Sequence, residues 1–278
     1  MERVKRYYDS NPEMEWQRLQ HDVYARIEYE VTLHFIHKYL VPGNRCIDIG
    51  GGPGRYTIHL LQQAYHVTLL DLSPMLLQKA QQQIEQQELT AYLDGIHERN
   101  AVDLSGIESD SYDLTLLLGP LYHLTKEYER IQAIEQAYRV TKPGGYIFSA
   151  IIPRLSVIRD IFRWSPNAAQ EYLAGHEEQI NQLIETGVYL NLKEDPAQFT
   201  DAYFANTEDI PSLYQQQGIE LIEAFSCEGI AAFLNDRINQ LVNNEHTWKI
   251  LLDLIIKTST TPSILGAGEH CVFIGQKA

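Results

Sequence analysis

The sequence predicts an α/β fold: a Rossmann-like, doubly wound sheet that is mostly parallel, with an antiparallel edge strand and helical cap insertions. Three observations predict it. Strand and helix patterns alternate strictly between residues 41 and 153, the strand segments are apolar on both faces, and two more strand patterns come late in the chain. Strict alternation is typical of right-handed crossovers onto a parallel sheet that is covered on both faces.

Residues 1–40 are predicted to form a helical arm, or lid. Ser10 or Asn11 can cap a helix that has Pro12 in its first turn. The following run, YARIEYEVTLHFIHKYL, places apolar side chains on one helix face, and VPGN ends it.

The predicted core, residues 41–153, alternates four strands with three helices. In chain order the segments read RCIDIG, RYTIHLLQQ, HVTLLDL, SPMLLQKAQQQIEQQ, YDLTLLLG, KEYERIQAIEQAYRVT and, after the turn KPGG, YIFSAII. The second helix begins at Ser73 and Pro74, a cap residue followed by proline at the first helical position.

After the fourth strand the alternation stops. Residues 154–206 have the pattern of helices and loops, and we expect a helical cap insertion there. Residues 207–278 return to the core, with a helical insertion at 229–262. The two late strand patterns, 219–227 and 270–276, are predicted to form the antiparallel edge.

A glycine-rich loop follows the first strand in the segment CIDIGGGPGRYT (46–57). Glycines at the carboxyl end of a first strand permit positive φ and let a ligand touch bare backbone. The four glycines of the loop are Gly50, Gly51, Gly52 and Gly54. Asp71 ends the next strand, where an acid can accept hydrogen bonds from ribose hydroxyls. The pattern predicts a ligand that contains adenosine.

The loop disfavours a nicotinamide dinucleotide. If the motif G-x-G-x-x-G starts at Gly50, Arg55 occupies its third glycine position; if it starts at Gly52, Thr57 does. Asp48 also precedes the loop, and an acid there suits a cationic ligand better than a diphosphate.

Five segments in order resemble the motifs of class I S-adenosylmethionine-dependent methyltransferases. They are DIGGGPG, LLDLSPMLL, RNAVDLS, YDLTLLLGPLYHL and AYRVTKPGGYIFSA. The resemblance implies S-adenosyl-L-methionine as cofactor and S-adenosyl-L-homocysteine as product. It covers residues 41–153 closely and 207–278 in outline.

The resemblance also implies roles for single residues. Asp71 would bind the ribose, and Leu72 and Met75 would lie near the adenine. Asn100, followed by Ala101, stands where the family usually has an aspartate that reaches the adenine amino group. Further residues implied to bind the cofactor are Asp48, Leu118, Gly119, Tyr7 and Tyr8, the last two from an arm that folds over it.

The residues after the strand segment YDLTLLLG lie where the family usually meets the methyl group. His123 is the candidate general base, because an imidazole titrates near neutrality; capping of the next helix is the alternative. Tyr122 is a candidate for orienting the acceptor, with packing as the alternative. Trp16 on the arm is either part of the lid or ordinary helix packing.

Charge and composition exclude several classes of function. The net charge of −15 disfavours nucleic acid and anionic membranes as partners. The sequence has no signal peptide pattern and no apolar run long enough to span a bilayer. The three cysteines are single residues in apolar segments, as expected for a reduced, cytoplasmic protein.

No metal site is predicted. His34 and His37 lie three residues apart on a helix, but no acid or cysteine completes a ligand set. In the cap, Arg154, Arg159 and Arg163 are expected on a solvated helix face; contact with an acidic substrate, with Trp164 stacking on a ring, is the alternative.

These observations predict methyl transfer to a small-molecule acceptor by in-line displacement. The alternatives are an RNA or protein methyltransferase and a protein that binds S-adenosylmethionine or S-adenosylhomocysteine without catalysis. The sequence leaves open the acceptor atom, the role of the insertions, and whether the protein is a monomer or a homodimer.

Overall fold

The computed structural model describes residues 1–196 and 198–278. Its helices are α1 (Glu2–Ser10), α2 (Pro12–Gln17), α3 (Ala25–Tyr39), α4 (Arg55–Gln62), α5 (Pro74–Gln86), α6 (Glu127–Val140), α7 (Ser156–Ile161), α8 (Pro166–Gly175), α9 (Glu177–Thr186), α10 (Asp209–Gln217), α11 (Asn235–Leu241), α12 (Glu245–Ser259) and α13 (Pro262–Leu265). Its strands are β1 (Arg45–Ile49), β2 (His66–Asp71), β3 (Leu93–Glu98), β4 (Tyr112–Leu117), β5 (Thr141–Ile151), β6 (Val188–Tyr189), β7 (Ala202–Tyr203), β8 (Ile219–Ser226) and β9 (Cys271–Lys277).

Seven strands form one sheet in the order β3-β2-β1-β4-β5-β9-β8. Strands β1 to β5 pair in parallel, whereas β9 is antiparallel to both of its neighbours, β5 and β8. The strand order reverses between β1 and β4, and in an open α/β sheet ligands bind beside such a point. The predicted doubly wound fold is confirmed, and the antiparallel pairing is made by the two late strands.

Apolar side chains cover both faces of this sheet. One core cluster joins α3 and α4 to one face through residues such as Ile27, Ile36 and Leu60, all fully buried. The other joins α6 and α10 to the opposite face through Ile134 and Tyr214. Burial on both faces explains why the central strands read as continuous apolar runs.

Four features differ from the sequence prediction. Strand β3 was not expected, because LDGIHE lacks an apolar run; it is an edge strand, and much of it is exposed. The arm has a helix of its own, α1, before Pro12. The cap contains a short antiparallel pair, β6 with β7, and the KPGG segment belongs to β5 instead of forming a separate turn.

Among the described residues, no helix is long and apolar enough to cross a membrane.

Candidate active site

The glycine loop connects β1 to α4 and packs against the loop after β4. Gly50, Gly52 and Gly54 have φ of +72°, +56° and +82°, values that side chains disfavour. A Cβ on Gly50 would lie 2.5 Å from Pro120 Cγ, and one on Gly51 would overlap the carboxylate of Asp48. The backbone of Gly50, Gly51 and Gly52 therefore borders the space above the loop without side chains of its own.

Two buried aspartates hold the loop. Asp48 accepts a hydrogen bond of 2.7 Å from Thr57 Oγ1, and burial raises the pKa of Asp48 to about 6. Asp71 accepts hydrogen bonds of 2.8 Å from the backbone amides of Gly52 and Ser73. Burial raises the pKa of Asp71 to about 6 as well, although those amides favour its charged form. Asp71 therefore ties the glycine loop to the start of α5.

A cavity opens above this loop, at the carboxyl ends of the strands. We call it the first cavity. The predicted site residues that line it are Asp48, Gly50, Gly51, Gly52, Asp71, Leu72, Asn100, Ala101, Leu118, Gly119, Tyr8, Tyr122 and His123. Residues far apart in sequence thus meet around one space, as expected of a site at the end of parallel strands.

Three predicted residues lie elsewhere. The side chain of Met75 is 41% exposed, and Leu76 lines the cavity in its place, because the turn of α5 directs the next residue inward. Gly54 allows close helix packing instead, since a Cβ there would lie 3.2 Å from Ala80 Cβ. Tyr7 lines a second cavity.

The arm lies over the first cavity. Residues of α1, including Val4, Lys5 and Tyr8, line it. Lys5 donates a hydrogen bond of 2.5 Å to Glu98 on β3, and Asp9 accepts one of 2.5 Å from Ser73 Oγ. Helix α1 is therefore attached to the core on the side where β2 and β3 end.

The arm is also attached to the cap. Arg3 forms an ion pair of 2.6 Å with Asp201, and Arg6 one of 2.8 Å with Glu194. The sequence did not reveal these partners, because each pair joins residues that are far apart in the chain. Trp16 on α2 packs under the guanidinium of Arg55, 3.4 Å from the ring centre, so it is part of the helix packing.

His123 is buried and both of its ring nitrogens are engaged. Nε2 lies 2.8 Å from Tyr8 Oη, and Nδ1 lies 3.1 Å from the backbone carbonyl of Asp201. Because a carbonyl only accepts, Nδ1 carries the hydrogen and Nε2 accepts from the tyrosine. Burial lowers the pKa of His123 to about 4, so the ring is neutral at physiological pH.

The second cavity, of about 640 Å³, adjoins the first. The two share four lining residues: Tyr8, Glu15, Arg18 and Tyr122. The aromatic walls of the second cavity include Tyr7, Phe199, Phe204 and Phe233. The space is large enough for a small organic molecule and is built by the arm, the cap and the loop after β8.

The cap arginines do not form a free basic patch. Arg154 donates to backbone carbonyls, including that of Phe204 at 3.2 Å. Arg159 lies over the ring of Phe233, and Arg163 pairs with Asp160. Of the three, Arg163 lines the second cavity, whereas Trp164 packs edge-on against Tyr172 with ring centres 5.0 Å apart.

Comparison with known proteins identifies the core. Residues 46–145 match a family model described as a methyltransferase domain. Residues 46–145 therefore belong to a methyltransferase domain, in agreement with the class I S-adenosylmethionine-dependent type that the motifs resemble. The predicted cofactor, S-adenosylmethionine, is thereby confirmed. The bare glycine backbone and the buried carboxylates around the first cavity fit a cationic adenosine-containing ligand.

Curated relatives match this chain in part. The ubiquinone/menaquinone biosynthesis C-methyltransferase UbiE of Ruegeria sp. (strain TM1040) is 30% identical over 106 residues, which is 37% of this chain and 40% of that protein. The putative methyltransferase YqeM of Bacillus subtilis (strain 168) is 22% identical over 126 residues, 45% of this chain and 49% of that protein. The chain thus spans about half of the length of the curated relatives that it matches.

Solved structures share the fold of this chain over most of its length. A S-adenosylmethionine-dependent methyltransferase from Methanosarcina mazei superposes with a TM-score of 0.58 at 19% identity, covering 87% of this chain and 96% of that one. A possible histamine N-methyltransferase from Thermotoga maritima gives a TM-score of 0.57 at 18% identity, covering 98% and 99%. At these identities the likeness extends to the fold alone.

A partly buried cluster of charged side chains lies between the two cavities. Arg18 donates to Glu28 at 2.7 Å and to Glu15 at 2.9 Å, while His270 Nδ1 donates to Glu228 at 2.9 Å. Burial opposes the charge on His270, but Glu28 and Glu228 raise its pKa to about 9. Sequence reasoning missed this cluster, because its members come from α2, α3, the end of β8 and the start of β9.

The same cluster is the candidate metal centre among the described residues. Glu28, Glu228 and His270 offer ligand atoms that lie within 4.8 Å of one another. A cationic imidazole has no free lone pair, and the guanidinium of Arg18 already neutralises Glu28. This arrangement is an ion-pair network. On α3, His37 contacts another histidine: its Nε2 lies 2.8 Å from His59 Nε2 on α4.

Proposed function

We propose that the protein transfers a methyl group from S-adenosylmethionine to a small molecule held in the second cavity. The observation that carries this proposal is the junction of the cavities: an aromatic-walled space of about 640 Å³ adjoins the cofactor cavity across Tyr8 and Tyr122. The bound cofactor would supply a methyl group on a sulfonium centre, and transfer leaves a neutral thioether. The protein's own part is to align the acceptor and exclude water, which contributes about 7–11 kcal/mol in favourable cases.

Different parts of the chain would have different roles in this reaction. Asp71 and the glycine loop would bind the adenosine portion, with Leu72, Leu76, Asn100 and Ala101 beside the base. The arm (residues 1–40) would close the site, the core (41–153 and 207–278) would hold the cofactor, and the cap (154–206) with the 229–262 insertion would shape the acceptor pocket. An aromatic-walled pocket of this size favours a small acceptor over a polymer.

The relatives support a small acceptor as well. The UbiE proteins are named for ubiquinone/menaquinone biosynthesis, and one structure with the same fold is named a geranyl diphosphate C-methyltransferase. The net charge of −15 disfavours RNA as the acceptor. The acceptor atom is left open by these arguments.

The test begins with calorimetric titration of the protein with S-adenosylmethionine, S-adenosylhomocysteine and NAD. We expect binding of the first two alone. Label from tritiated S-adenosylmethionine is then followed into small phenols, small amines and total RNA. Label in the small-molecule fraction is expected; label in RNA would favour an RNA methyltransferase, and binding without any transfer would favour a non-catalytic binder.

A pair of variants tests the assignment of the second cavity. Val157 lines this cavity but not the first, so Val157→Trp should block transfer and leave cofactor affinity unchanged. Leu155, two residues earlier, is 58% exposed and provides the control Leu155→Trp, which should behave as wild type. Equal activity of both variants would show that the acceptor binds elsewhere.

A further inference from the structure

We propose that Tyr8 is a catalytic residue that accepts the proton of an acceptor hydroxyl and passes its own proton to His123. This inference rests on the proposed function. It concerns acceptors that carry a hydroxyl group, and it assigns Tyr8 a role beyond covering the cofactor.

The position of Tyr8 is the first support. Its side chain lines both cavities, whereas His123 lines the first cavity alone. A molecule in the second cavity therefore meets the phenol of Tyr8 before it meets the imidazole. Arg18 and Glu15, which also line both cavities, are already paired with each other.

The direction of the hydrogen bonds is the second support. The backbone carbonyl of Asp201 places the hydrogen of His123 on Nδ1, so the lone pair of Nε2 points at Tyr8 Oη, 2.8 Å away. The tyrosine hydroxyl donates to that nitrogen, and its oxygen keeps lone pairs that can accept. A proton arriving at Oη thus has a defined route to Nε2.

Asp201 fixes the positions of Tyr8 and His123 relative to each other. The carboxylate of Asp201 accepts hydrogen bonds from Arg3 Nε on α1 and from the backbone amide of Asn191, at 2.9 and 3.0 Å. Arg3 is on the same helix as Tyr8, and the carbonyl of Asp201 orients His123. One residue of the cap therefore positions both partners of the relay, which is the kind of preorganisation that proton transfer requires.

The proton balance of the step is complete. The acceptor oxygen keeps the electron pair of its O–H bond and uses it, directly or through a conjugated carbon, to form the new bond to the methyl group. The acceptor proton moves to Tyr8 Oη, and the tyrosine proton moves to His123 Nε2. Methyl transfer removes the positive charge of the sulfonium, and protonation of His123 restores one positive charge beside the same cavity.

Both groups are poised in their neutral forms. Burial raises the pKa of Tyr8 well above its ordinary value and lowers the pKa of His123. Neither a free tyrosinate nor a free imidazolium forms in the resting site. The two proton transfers are therefore expected to accompany methyl transfer and not to precede it.

The first measurement needs no acceptor. Protein labelled with ¹⁵N-histidine is saturated with S-adenosylhomocysteine, and the ring nitrogens of His123 are assigned by their loss in His123→Asn. We expect an unprotonated Nε2 at pH 7 whose resonance moves in Tyr8→Phe. The matched control is Tyr7→Phe, a residue that lines the second cavity without a hydrogen bond to His123, and it should leave the resonance in place. A hydrogen on Nε2, or no response to Tyr8→Phe, overturns the relay.

The second measurement uses the phenol that is methylated fastest in the labelling experiment. Tyr8→Phe should lower kcat on the order of 10²-fold or more, the scale of general acid–base catalysis, without weakening S-adenosylhomocysteine binding. The double variant with His123→Asn should be no slower than the worse single variant, because the two residues act as one unit. A kcat of Tyr8→Phe within about threefold of wild type would overturn the relay. Failure of every acceptor in the labelling experiment would instead overturn the proposed function, while the nuclear magnetic resonance measurement tests the Tyr8–His123 hydrogen bond without any acceptor.

Discussion

Replacing Asp71 with asparagine removes one charge and one acceptor while keeping the size of the side chain. The two carboxylate oxygens serve different partners: Oδ2 accepts from the amide of Gly52 and Oδ1 from that of Ser73, both at 2.8 Å. A side-chain amide has a single oxygen, so one of these two buried N–H groups must face an NH₂ group. The variant is therefore expected to loosen either the glycine loop or the start of α5.

The magnitude follows from that lost hydrogen bond. Leaving a buried donor unsatisfied costs about 1–3 kcal/mol, and bonds to charged groups are at the upper end. Asp71→Asn should lower the free energy of unfolding by about this amount. If the ribose also binds this carboxylate, the affinity for S-adenosylhomocysteine should fall at least about tenfold, since 1.4 kcal/mol corresponds to a factor of ten.

The assay is calorimetric titration with S-adenosylhomocysteine at several pH values, beside urea unfolding. Burial raises the pKa of Asp71 to about 6, so wild-type affinity should decline as pH falls through 6, and the variant should lack that part of the decline. The control is Asp94→Asn, since this acid on β3 binds Arg45 and His66 at the surface. Wild-type affinity and stability in Asp71→Asn would refute the assignment of Asp71 as the link between loop, helix and ligand.

Three further predictions concern other parts of the fold. Gly51→Ala forces a methyl group into the carboxylate beneath the loop and should cost about 1–3 kcal/mol of stability, whereas Gly175→Ala, with open space around it, should not; thermal unfolding compares them. His270 has its pKa raised to about 9 in the folded protein, so its stabilisation is complete below about pH 6.5 and is lost as pH rises toward 9. Between pH 7 and 8.5, urea unfolding should show that the free energy of unfolding of the wild type falls by about 2 kcal/mol, a decrease that His270→Gln lacks. An equal decrease with pH in the variant would contradict the role of His270. Tyr214→Phe removes a buried hydroxyl bonded to two strand carbonyls and a serine, and should lower stability by about 1–2 kcal/mol without changing cofactor affinity.

The order of the core elements was predictable because each is encoded in a short stretch of sequence. Buried parallel strands require continuous apolar runs, and the helices between them show apolar residues at helical spacing. Strand β3 was not predicted, because an edge strand is held by hydrogen bonds to its neighbour's backbone and needs no apolar run. Met75 was placed one residue away from the true lining residue, Leu76, because the sequence does not specify how α5 is rotated about its axis.

The sequence by itself determined the alternation of strands and helices in the core, the glycine loop after β1, the acid at the end of β2, and through them the cofactor. These features are local, because positive φ at glycine and the alternation of strand and helix depend on neighbouring residues. Only the tertiary structure decided how α1 covers the first cavity, which nitrogen of His123 carries the hydrogen, and how His270 acquires its charge. Each of these depends on partners distant in the chain, such as Asp201 for His123 and Glu28 for His270, and folding alone brings such groups within hydrogen-bonding distance.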